Sequence, residues 1–509
     1  MKPSIKVLVF GVHVAVLFFA FQGHAFTTSG NEAIVQVKGR NGSIETCAIP
    51  VHFDESRNRQ LEKDRGDEAK LCRMALSSDA TIAIQEKTPG KLKLPTEAKE
   101  FAVCPKLNST NPGTNFIKIP KGWTREQTES TLCEKESKLS AANQDLLEVE
   151  AKFKSSITCS YTPSALAGYH VSRLLGGVGR VPVAVLRTMD RDHHMAVVEK
   201  AESVLGHTSE IISIAWQQFE KADRAAASGQ SNSKMYVENG SLLYGGLQKN
   251  LKGEEKYSEI SGGGSYDTRY ERFIVQPPFK RVTDERSVEQ AAVGKSFAET
   301  YPTLNQMKDV SDMVLFDVLL SQDDRVGNIH YKVEVREIPS AGGAPVARKM
   351  SDAEEAELDA VLKAARTEKV TESQLALLSK RLFPAGNAIL VRAMYLKDND
   401  CGVDVDKREN KMRSVKALEK VRHMSAETYT RFLRLADDVV SDRFKSFATE
   451  TLLYRSKDYE GGSKSLKENV KFALKTLKEN CRSGALKLDL DVIYSSGGVA
   501  QAASPVACE

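Results

Sequence analysis

The sequence predicts an α+β fold, and two kinds of local pattern indicate it. Apolar runs of strand type, such as "RVPVAVLRTM", "IHYKVEV" and "NAILVRAMYL", alternate with segments of helical period, such as "SALAGYHVSRLL" and "LKENVKFALKTLKENC". A length of 509 residues leaves room for more than one domain. The formal charge of +4 is close to neutral for this length, and it gives no indication of nucleic-acid binding.

The first 25 residues are predicted to be a signal peptide. Two lysines precede an apolar run at 7–21, and Gly23 and Ala25 occupy the small-residue positions of a cleavage site. A membrane-spanning helix needs about 20 apolar residues, so the run is short for an anchor, which remains the alternative. We expect no transmembrane span after cleavage. The protein would then be Golgi-resident or extracellular in a eukaryote, and periplasmic or extracellular in a bacterium.

The cysteines agree with export. Their number is even, they are widely spaced, and no CxxC motif suggests a zinc or redox site. In an oxidising compartment some or all of them should pair, but spacing alone does not choose the partners. The eight residues are Cys47, Cys72, Cys104, Cys133, Cys159, Cys401, Cys481 and Cys508.

The chain divides by pattern into a β-rich beginning and a longer mixed part. Residues 26–125 alternate short apolar runs with polar stretches rich in proline and glycine, which indicates a β-rich accessory region. A helix is predicted at 164–175, because Pro163 precedes its apolar pattern and glycines follow it. Residues 338–386 are polar with helical pattern and form a predicted insertion, and 491–509 form a tail.

Two acidic clusters lie at the ends of predicted strands. "QDDRVGN" at 322–328 comes before the strand "IHYKVEV", and "KDNDCGVD" at 397–404 comes after the strand "NAILVRAMYL". Carboxylate and amide oxygens are the ligands that Mg²⁺ and Mn²⁺ prefer. Two such loops over one cleft suit phosphoryl transfer, which needs an aspartate for the attacking hydroxyl and ligands for the metal on the nucleotide.

Each cluster also has an interpretation without catalysis. Asp, Asn and Gly are common turn residues, so "DDRVGN" by itself is typical of a solvated turn. In the second cluster Asp398, Asp400, Asp406 and Glu409 have the spacing of a calcium loop, but Val403 stands where that loop needs glycine. A third polar segment, "MDRDHH", is interpreted as a surface cap on a strand end rather than a metal site.

The segment "ALAGYHVSRLLGGVGRVPVAVLRTMD" resembles the secretory-pathway kinases, a Golgi family that phosphorylates casein-like secreted proteins and proteoglycan sugars. There an "AFHLDRIL" helix is followed by a glycine-containing turn and a "VPP" strand, and residues 167–175 and 180–182 match them. "QDDRVGN" is similar to the family's "DRH" catalytic loop, and to the "DRxxGNI" loop of phosphatidylinositol kinases and actin-fragmin kinase. "LKDNDCG" is similar to its "LDNG" metal loop. The resemblance covers roughly 150–480.

The resemblance implies a two-lobed, protein-kinase-like fold, with an N-lobe at 126–270 and a C-lobe at 271–490. It implies an exported atypical kinase that transfers the γ-phosphate of ATP, with Mg²⁺ or Mn²⁺, to a hydroxyl of a protein, sugar or lipid. The alternative is a catalytically inactive kinase-like protein that acts in binding or as a scaffold.

The resemblance also assigns roles within the two acidic clusters. The Asp-Arg dipeptide points to Asp324 as the catalytic aspartate, whereas the five-residue kinase spacing to the asparagine points to Asp323. Asn328 is expected to be a metal ligand. Asp398 is expected to be the second metal ligand, with Asp400 as the alternative.

The nucleotide-phosphate lysine is expected on the strand before the "GYHVSRLL" helix. Lys154 or Lys152 in "AKFKSSITCSY" meets this requirement, because a lysine at that place neutralises phosphate charge.

The sequence departs from the family at three points. These kinases pair the lysine with a glutamate about five residues before the helix histidine, and here that position is Ala165. Either the ion pair is missing, or Glu148 or Glu150 replaces it. Val326 stands in place of the histidine of "DRH", and no glycine-rich loop precedes Lys152. These departures keep open the inactive alternative, or a different kind of phosphotransfer.

Overall fold

The computed structural model describes residues 26–39, 42–230, 232, 234–262, 268–364, 371–407, 409–501 and 506–509. The predicted signal peptide at 1–25 lies outside these residues. Within them, helices combine with mainly antiparallel sheets, and the prediction of an α+β fold is confirmed.

The first half of the described chain contains a nine-stranded sheet and a two-stranded parallel ribbon. The strands are β1 (Asn31–Lys38), β2 (Ile44–Pro50), β3 (Met74–Ala75), β4 (Thr81–Glu86), β5 (Lys99–Glu100), β6 (Ala102–Pro105), β7 (Thr114–Ile117), β8 (Val149–Ser155), β9 (Ala184–Asp190), β10 (Tyr236–Val237) and β11 (Leu242–Lys249). The sheet has the order β4-β1-β2-β9-β11-β8-β7-β6, with β10 paired to β11, while β3 and β5 form the ribbon.

This sheet joins the region predicted as accessory to the region that follows it. Strands β1, β2, β4, β6 and β7 come from 26–125, whereas β8, β9, β10 and β11 come from 126–270. The two sets meet twice, where β2 pairs with β9 and where β7 pairs with β8. Residues 26–125 are therefore an integral part of the sheet that carries Lys152 and Lys154.

Helix α4 fills the space beside this sheet. The helices of this half are α1 (Leu61–Cys72), α2 (Arg125–Leu132), α3 (Ala141–Leu146), α4 (Thr162–Leu174), α5 (Arg191–Leu205) and α6 (Ile211–Ala227). Pro163 lies in the first turn of α4, and Gly176 and Gly177 follow it with φ of 83° and 93°, which glycine adopts without strain. All residues of α4 are buried, which explains its nearly continuous apolar sequence.

The second half contains a smaller antiparallel sheet in which β13 is central. Its strands are β12 (Glu255–Lys256), β13 (Ile329–Glu337), β14 (Val346–Arg348) and β15 (Ala388–Leu396), and β16 (Ile493–Tyr494) pairs with β17 (Ala500–Gln501). In the β13–β15 pair, Ile329 lies opposite Leu396, and Glu337 lies opposite Ala388. Since the strands are antiparallel, the start of β13 and the end of β15 share one edge. Both acidic clusters emerge there.

The helices of this half include the long helix α11, which packs against β15 of the second sheet. They are α7 (Ser258–Ser261), α8 (Arg269–Val275), α9 (Pro277–Val282), α10 (Val288–Ala292), α11 (Phe297–Leu319), α12 (Asp352–Ala364), α13 (Glu372–Leu382), α14 (Lys411–Ser414), α15 (Ala417–Lys420), α16 (Ala426–Val439), α17 (Asp442–Ser446), α18 (Ser456–Glu460) and α19 (Leu466–Arg482). The C-terminal half of α11 is buried throughout, and it delivers the chain to the first acidic cluster.

The segment 338–386, predicted as a helical insertion, contains α12 and α13. Leu358, Leu375 and Leu378 pack with Val335 and Leu390 of the second sheet in a separate apolar cluster. The insertion therefore has a core of its own against β13 and β15.

All eight cysteines are paired, so the predicted presence of disulfides is confirmed. The pairs are Cys47–Cys72, Cys104–Cys133, Cys159–Cys401 and Cys481–Cys508. The Cys159–Cys401 bond joins positions 242 residues apart. In the described part of the chain, no helix has the length and apolar character that would let it cross a membrane.

Candidate active site

The two predicted nucleotide lysines lie on one face of β8. Residues two apart on a strand point to the same side, so Lys152 and Lys154 both face α4. The strand β11 supports this, because Gly246 lies opposite Lys154, and a Cβ on Gly246 would stand 3.3 Å from Ala165 of α4. Glycine at 246 thus lets α4 approach the sheet beside the lysine.

Lys154 holds the second acidic cluster. Its Nζ lies 2.8 Å from Asp398 Oδ1 and 3.2 Å from both carboxylate oxygens of Asp400. Burial works to lower the pKa of Lys154, but Asp398 and Asp400 outweigh it and raise this pKa above its ordinary value. The lysine is therefore a fixed cation beneath the loop that follows β15.

A second lysine approaches the same carboxylate from the loop between β6 and β7. Lys106 Nζ lies 3.7 Å from Asp398 Oδ1. Burial works to raise the pKa of Asp398, but Lys106, Lys154 and Lys152 hold it well below the ordinary range. The Asp398 side chain is 23% exposed, so this ionised carboxylate reaches the cleft.

The side chain of Asp400 is enclosed by the protein, unlike that of Asp398. Its exposure is 1%, the Ser160 hydroxyl donates to its carboxylate, and the Tyr161 N–H donates to its carbonyl at 2.8 Å. The next residue, Cys401, is bonded to Cys159. Asp400 is therefore held by the chain just before α4.

Arg325 connects the two acidic clusters. It is 1% exposed, and its Nε pairs with Asp317 of α11 at 2.9 Å. Its Nη1 donates to the Lys397 carbonyl at 2.9 Å, and its Nη2 donates to the Asn399 side chain. The arginine of the Asp-Arg dipeptide thus fixes the loop before β13 to the loop after β15.

Asp324 faces the second cluster across the cleft. Burial raises the pKa of Asp324, and the charges of Asp400 and Asp398 raise it further. Asn328 Nδ2 donates to the Asp324 carbonyl at 2.6 Å and to its Oδ2 at 3.2 Å. Its neighbour Asp323 contacts the second cluster through its backbone, because its N–H donates to the Cys401 carbonyl at 3.1 Å.

Both loops contain a residue in an unusual backbone conformation. Ser321 and Asp398 have φ of 50° and 49°, a region that residues other than glycine rarely occupy. Such conformations concentrate at functional sites, where the surrounding contacts hold them.

Lys152 lies close to other lysines as well as to Asp398. Burial lowers its pKa to about 7, and Lys397 and Lys106 contribute to the shift. His330 at the start of β13 shares this environment, since burial and Lys397 lower its pKa to about 4. The cleft therefore combines a cationic side, formed by the lysines, with the acidic side at Asp324.

The structure brings together Asp324, Asn328, Asp398, Asp400 and Lys154 of the predicted site residues. Sequence reasoning missed Lys106, whose only local signal is a loop between two short strands. It also missed Ser160, which nothing but its place before the helix distinguishes.

Side-chain contacts exclude three suggestions made from the sequence, namely Glu148 or Glu150 as the partner of the nucleotide lysine, and a calcium loop. Glu148 and Glu150 both pair with Lys252, so the suggestion that either replaces the missing helix glutamate is wrong. Asp406 pairs with Arg455 and Lys457, so the calcium-loop positions do not converge on one point.

The remaining metal candidates are also accounted for. Asp190, at the end of β9, accepts hydrogen bonds from the N–H groups of Asp192 and His193 and so caps the start of α5, whereas His194 is buried against Asp223 and not at the surface as predicted. Among the described residues, Cys159, Asp324 and Cys401 have ligand atoms within 4.8 Å of one another. Both cysteines are in a disulfide, so they offer no thiolate.

The arrangement can hold a phosphate-bearing anion against Lys154 and Lys106. It can also hold a hard cation at Asp398 and Asn328, and it can take up a hydroxyl proton at Asp324. This geometry alone supports a functional proposal, since no protein-family model matches the chain and no curated protein matches its sequence.

Proposed function

We propose that the protein is an exported atypical kinase that transfers the γ-phosphate of ATP to a hydroxyl of a protein, sugar or lipid. The observation that carries the proposal is the position of Lys154, which bridges Asp398 and Asp400 opposite Asp324. Phosphoryl transfer needs a lysine for the phosphates, acidic and amide ligands for the metal, and an aspartate for the hydroxyl. Residues suited to these three tasks come together here from three distant parts of the chain.

The order of elements supports a two-lobed, kinase-like arrangement. The lysine strand β8 belongs to the first sheet and is followed directly by the buried helix α4. The two acidic loops belong to the second sheet, at the start of β13 and the end of β15. The cleft between the two sheets is then the nucleotide site.

The phosphate side of the cleft would be formed by lysines. Lys154 and Lys106 converge on Asp398 from β8 and from the β6–β7 loop. That loop joins β6 to β7, and β7 pairs with β8, although α2 and α3 lie between these two strands in the chain. In protein kinases a glycine-rich loop covers the phosphates. Lys106 would add charge there, and Lys152 would lie further along the same face of β8.

Mg²⁺ or Mn²⁺ fits the donor set of the two loops. Asn328 directs its Nδ2 to Asp324, so its Oδ1 is the atom available for a cation, and Asp398 offers an ionised carboxylate. Asp400 is the alternative carboxylate ligand. When bound, the metal would neutralise charge on the nucleotide phosphates.

Asp324 would orient the acceptor hydroxyl and take up its proton. Its raised pKa makes the carboxylate a stronger base than an ordinary aspartate, and Asn328 holds its orientation. Asp323 is the alternative, and its N–H donates to the Cys401 carbonyl at 3.1 Å.

The four disulfides support export, because disulfides persist in oxidising compartments such as the secretory pathway or the periplasm.

The second candidate is a catalytically inactive kinase-like binding or scaffold protein. One observation favours it, namely that α4 contains no aspartate or glutamate to pair with Lys154. A protein of this kind would bind a nucleotide without turning it over.

Thermal unfolding with ATP and Mn²⁺ tests the proposal. At a hundredfold excess of ligand over Kd, binding should stabilise the wild-type protein by about 2–3 kcal/mol. Asp398→Ala should lose this stabilisation. Absence of a shift in the wild type would overturn nucleotide binding, and a shift without phosphate transfer would favour the inactive candidate.

A further inference from the structure

The partner of Lys154 is the point at which this site differs most from a protein kinase. In protein kinases the nucleotide lysine forms an ion pair with a glutamate of the following helix, and this pair must be in place for catalysis. Here the following helix is α4, Ala165 occupies the glutamate position, and α4 has no acidic residue. Another group must therefore orient the lysine.

Asp400 has the contacts that this task requires. Both of its carboxylate oxygens lie 3.2 Å from Lys154 Nζ, so it contacts the ammonium with its whole carboxylate. The Ser160 hydroxyl donates to the same carboxylate. Asp398, in contrast, meets Lys154 through one oxygen and is 23% exposed, whereas Asp400 is 1% exposed.

Asp400 is also joined to the start of α4, where the kinase glutamate would be anchored. The Tyr161 N–H donates to the Asp400 carbonyl at 2.8 Å, and Cys401 is bonded to Cys159. Close packing adds to this, because a Cβ on Gly168 of α4 would stand 2.8 Å from the Asn399 Cβ. The loop after β15 and the beginning of α4 thus form one unit.

We propose that Asp400 is the positioning residue that orients Lys154 in place of a helix glutamate, and that the Cys159–Cys401 disulfide holds it there. This inference rests on the proposed function. It assigns the metal to Asp398 rather than to Asp400, because a carboxylate enclosed by Lys154 and Ser160 has no open side for a cation. It also makes formation of this one disulfide a condition for tight nucleotide binding.

The test separates binding of ATP from binding of the metal. The oxidised full chain is titrated with ATP at saturating Mn²⁺, and with Mn²⁺ at saturating ATP, in the wild type and in Asp400→Asn and Asp398→Asn. Asp400→Asn should weaken ATP binding at least about tenfold, the scale of a lost charged contact. It should leave the Mn²⁺ concentration for half-saturation within about twofold, while Asp398→Asn should raise that concentration at least about tenfold.

Milder variants keep the test decisive if Asp400→Asn fails to fold. Ser160→Ala removes one donor to Asp400 and should weaken ATP binding about two- to fivefold. Replacement of both Cys159 and Cys401 by serine should reproduce the loss seen in Asp400→Asn. The matched control replaces Cys481 and Cys508, whose disulfide joins α19 to the C-terminus, and ATP affinity should not change.

Each outcome distinguishes the two proposals. A wild type that binds no ATP in the presence of Mn²⁺ overturns the proposed function. A wild type that binds ATP, with Asp400→Asn, Ser160→Ala and the Cys159/Cys401 variant all binding equally well, overturns the role of Asp400 alone. A loss of Mn²⁺ affinity in Asp400→Asn as large as in Asp398→Asn would make Asp400 a metal ligand, and the inference would be wrong.

Discussion

The loop before β13 and the loop after β15 carry similar side chains but lie in opposite electrostatic environments. In the first loop, burial and neighbouring carboxylates raise the pKa of Asp324. In the second, lysines overcome burial and hold the pKa of Asp398 well below its ordinary range. Two aspartates of one cleft are therefore driven in opposite directions by their neighbours.

This difference suggests a division of labour. A carboxylate with a raised pKa is suited to take up a proton, and a carboxylate that remains ionised is suited to hold a cation. Composition does not distinguish the two loops, since both are rich in aspartate and asparagine. The two loops differ because Lys154 and Lys106 lie beside Asp398 and not beside Asp324. Five experiments test this contrast.

The largest effect is expected at Asp324, in the loop before β13. Asp324→Asn removes the proposed proton acceptor and should lower phosphate transfer about 10²- to 10⁴-fold, while the stabilisation by ATP and Mn²⁺ is kept. Transfer of labelled γ-phosphate to the chain itself or to dephosphorylated casein measures it. The matched control is Asp323→Asn, where the loss should stay below about tenfold. The reverse ranking would show that the five-residue spacing to Asn328 identifies the catalytic aspartate.

At Lys154 on β8, which contacts the loop after β15, the largest effect should be on folding. Lys154→Ala leaves Asp400 buried without its cation, and loss of one partner of a buried ion pair costs about 3–5 kcal/mol. Urea unfolding measures the change in free energy. Lys152→Ala, two residues earlier on β8, should cost less, because burial and neighbouring lysines disfavour its charged form. Equal losses in both variants would contradict the contrast between these lysines.

An intermediate effect is expected where the loops are joined. Arg325→Lys keeps the charge but cannot span Asp317, the Lys397 carbonyl and Asn399 together. We expect a loss of about 1–3 kcal/mol in the free energy of unfolding. Arg336→Lys on β13 changes a single, mostly buried contact with Glu334 and should cost less than Arg325→Lys, because a lysine can keep one ion pair but cannot replace three contacts. If the two variants behave alike, Arg325 does not couple the loops.

The smallest effect is a change in protonation. With a pKa of about 7, Lys152 is about half neutral at pH 7. Phosphates bound nearby favour its charged form, so ATP binding should take up as much as about half a proton at pH 7. Calorimetric titrations in buffers of different ionisation enthalpy measure the uptake, and Lys152→Met should abolish it. Uptake that survives in this variant would assign the proton to another group.

The same lysine predicts the direction of a pH effect on stability. Its folded pKa lies below the ordinary 10.5, so between about 7 and 10.5 the unfolded chain binds more protons than the folded chain. The free energy of unfolding should therefore rise with pH across this window. Lys152→Met should flatten the rise.

Local patterns predicted the elements of the site better than their assembly. The buried helix α4, the strands β13 and β15 and the insertion each have a local signature, while the even number of cysteines predicts disulfides but not their partners. The register of Ile329 against Leu396 does not, although it alone brings the two acidic loops to one edge. Strand pairing depends on contacts distant in sequence, and a local pattern does not encode them.

The same limit explains the residues that were missed. Lys106 contacts Asp398, which lies 292 positions later in the chain. Ser160 becomes part of the site only because the fold places Asp400 beside it. The two sets of strands in the first sheet meet through the pairs β2–β9 and β7–β8. Local patterns do not show these pairings, so the sequence predicted 26–125 as a separate region. The acid-base contrast between Asp324 and Asp398 depends on the same distant neighbours.

The insertion between β13 and β15 offers a practical attachment point. It leaves β13 at Glu337 and returns at Ala388, at the opposite end of the strand pair from the two loops. Nine residues of β-strand, at about 3.3 Å each, place roughly 30 Å between that end and the cleft. A fluorophore or an affinity tag grafted at Gly386, near Ala388, would report on the protein, or immobilise it, without obstructing the entry of nucleotide or acceptor.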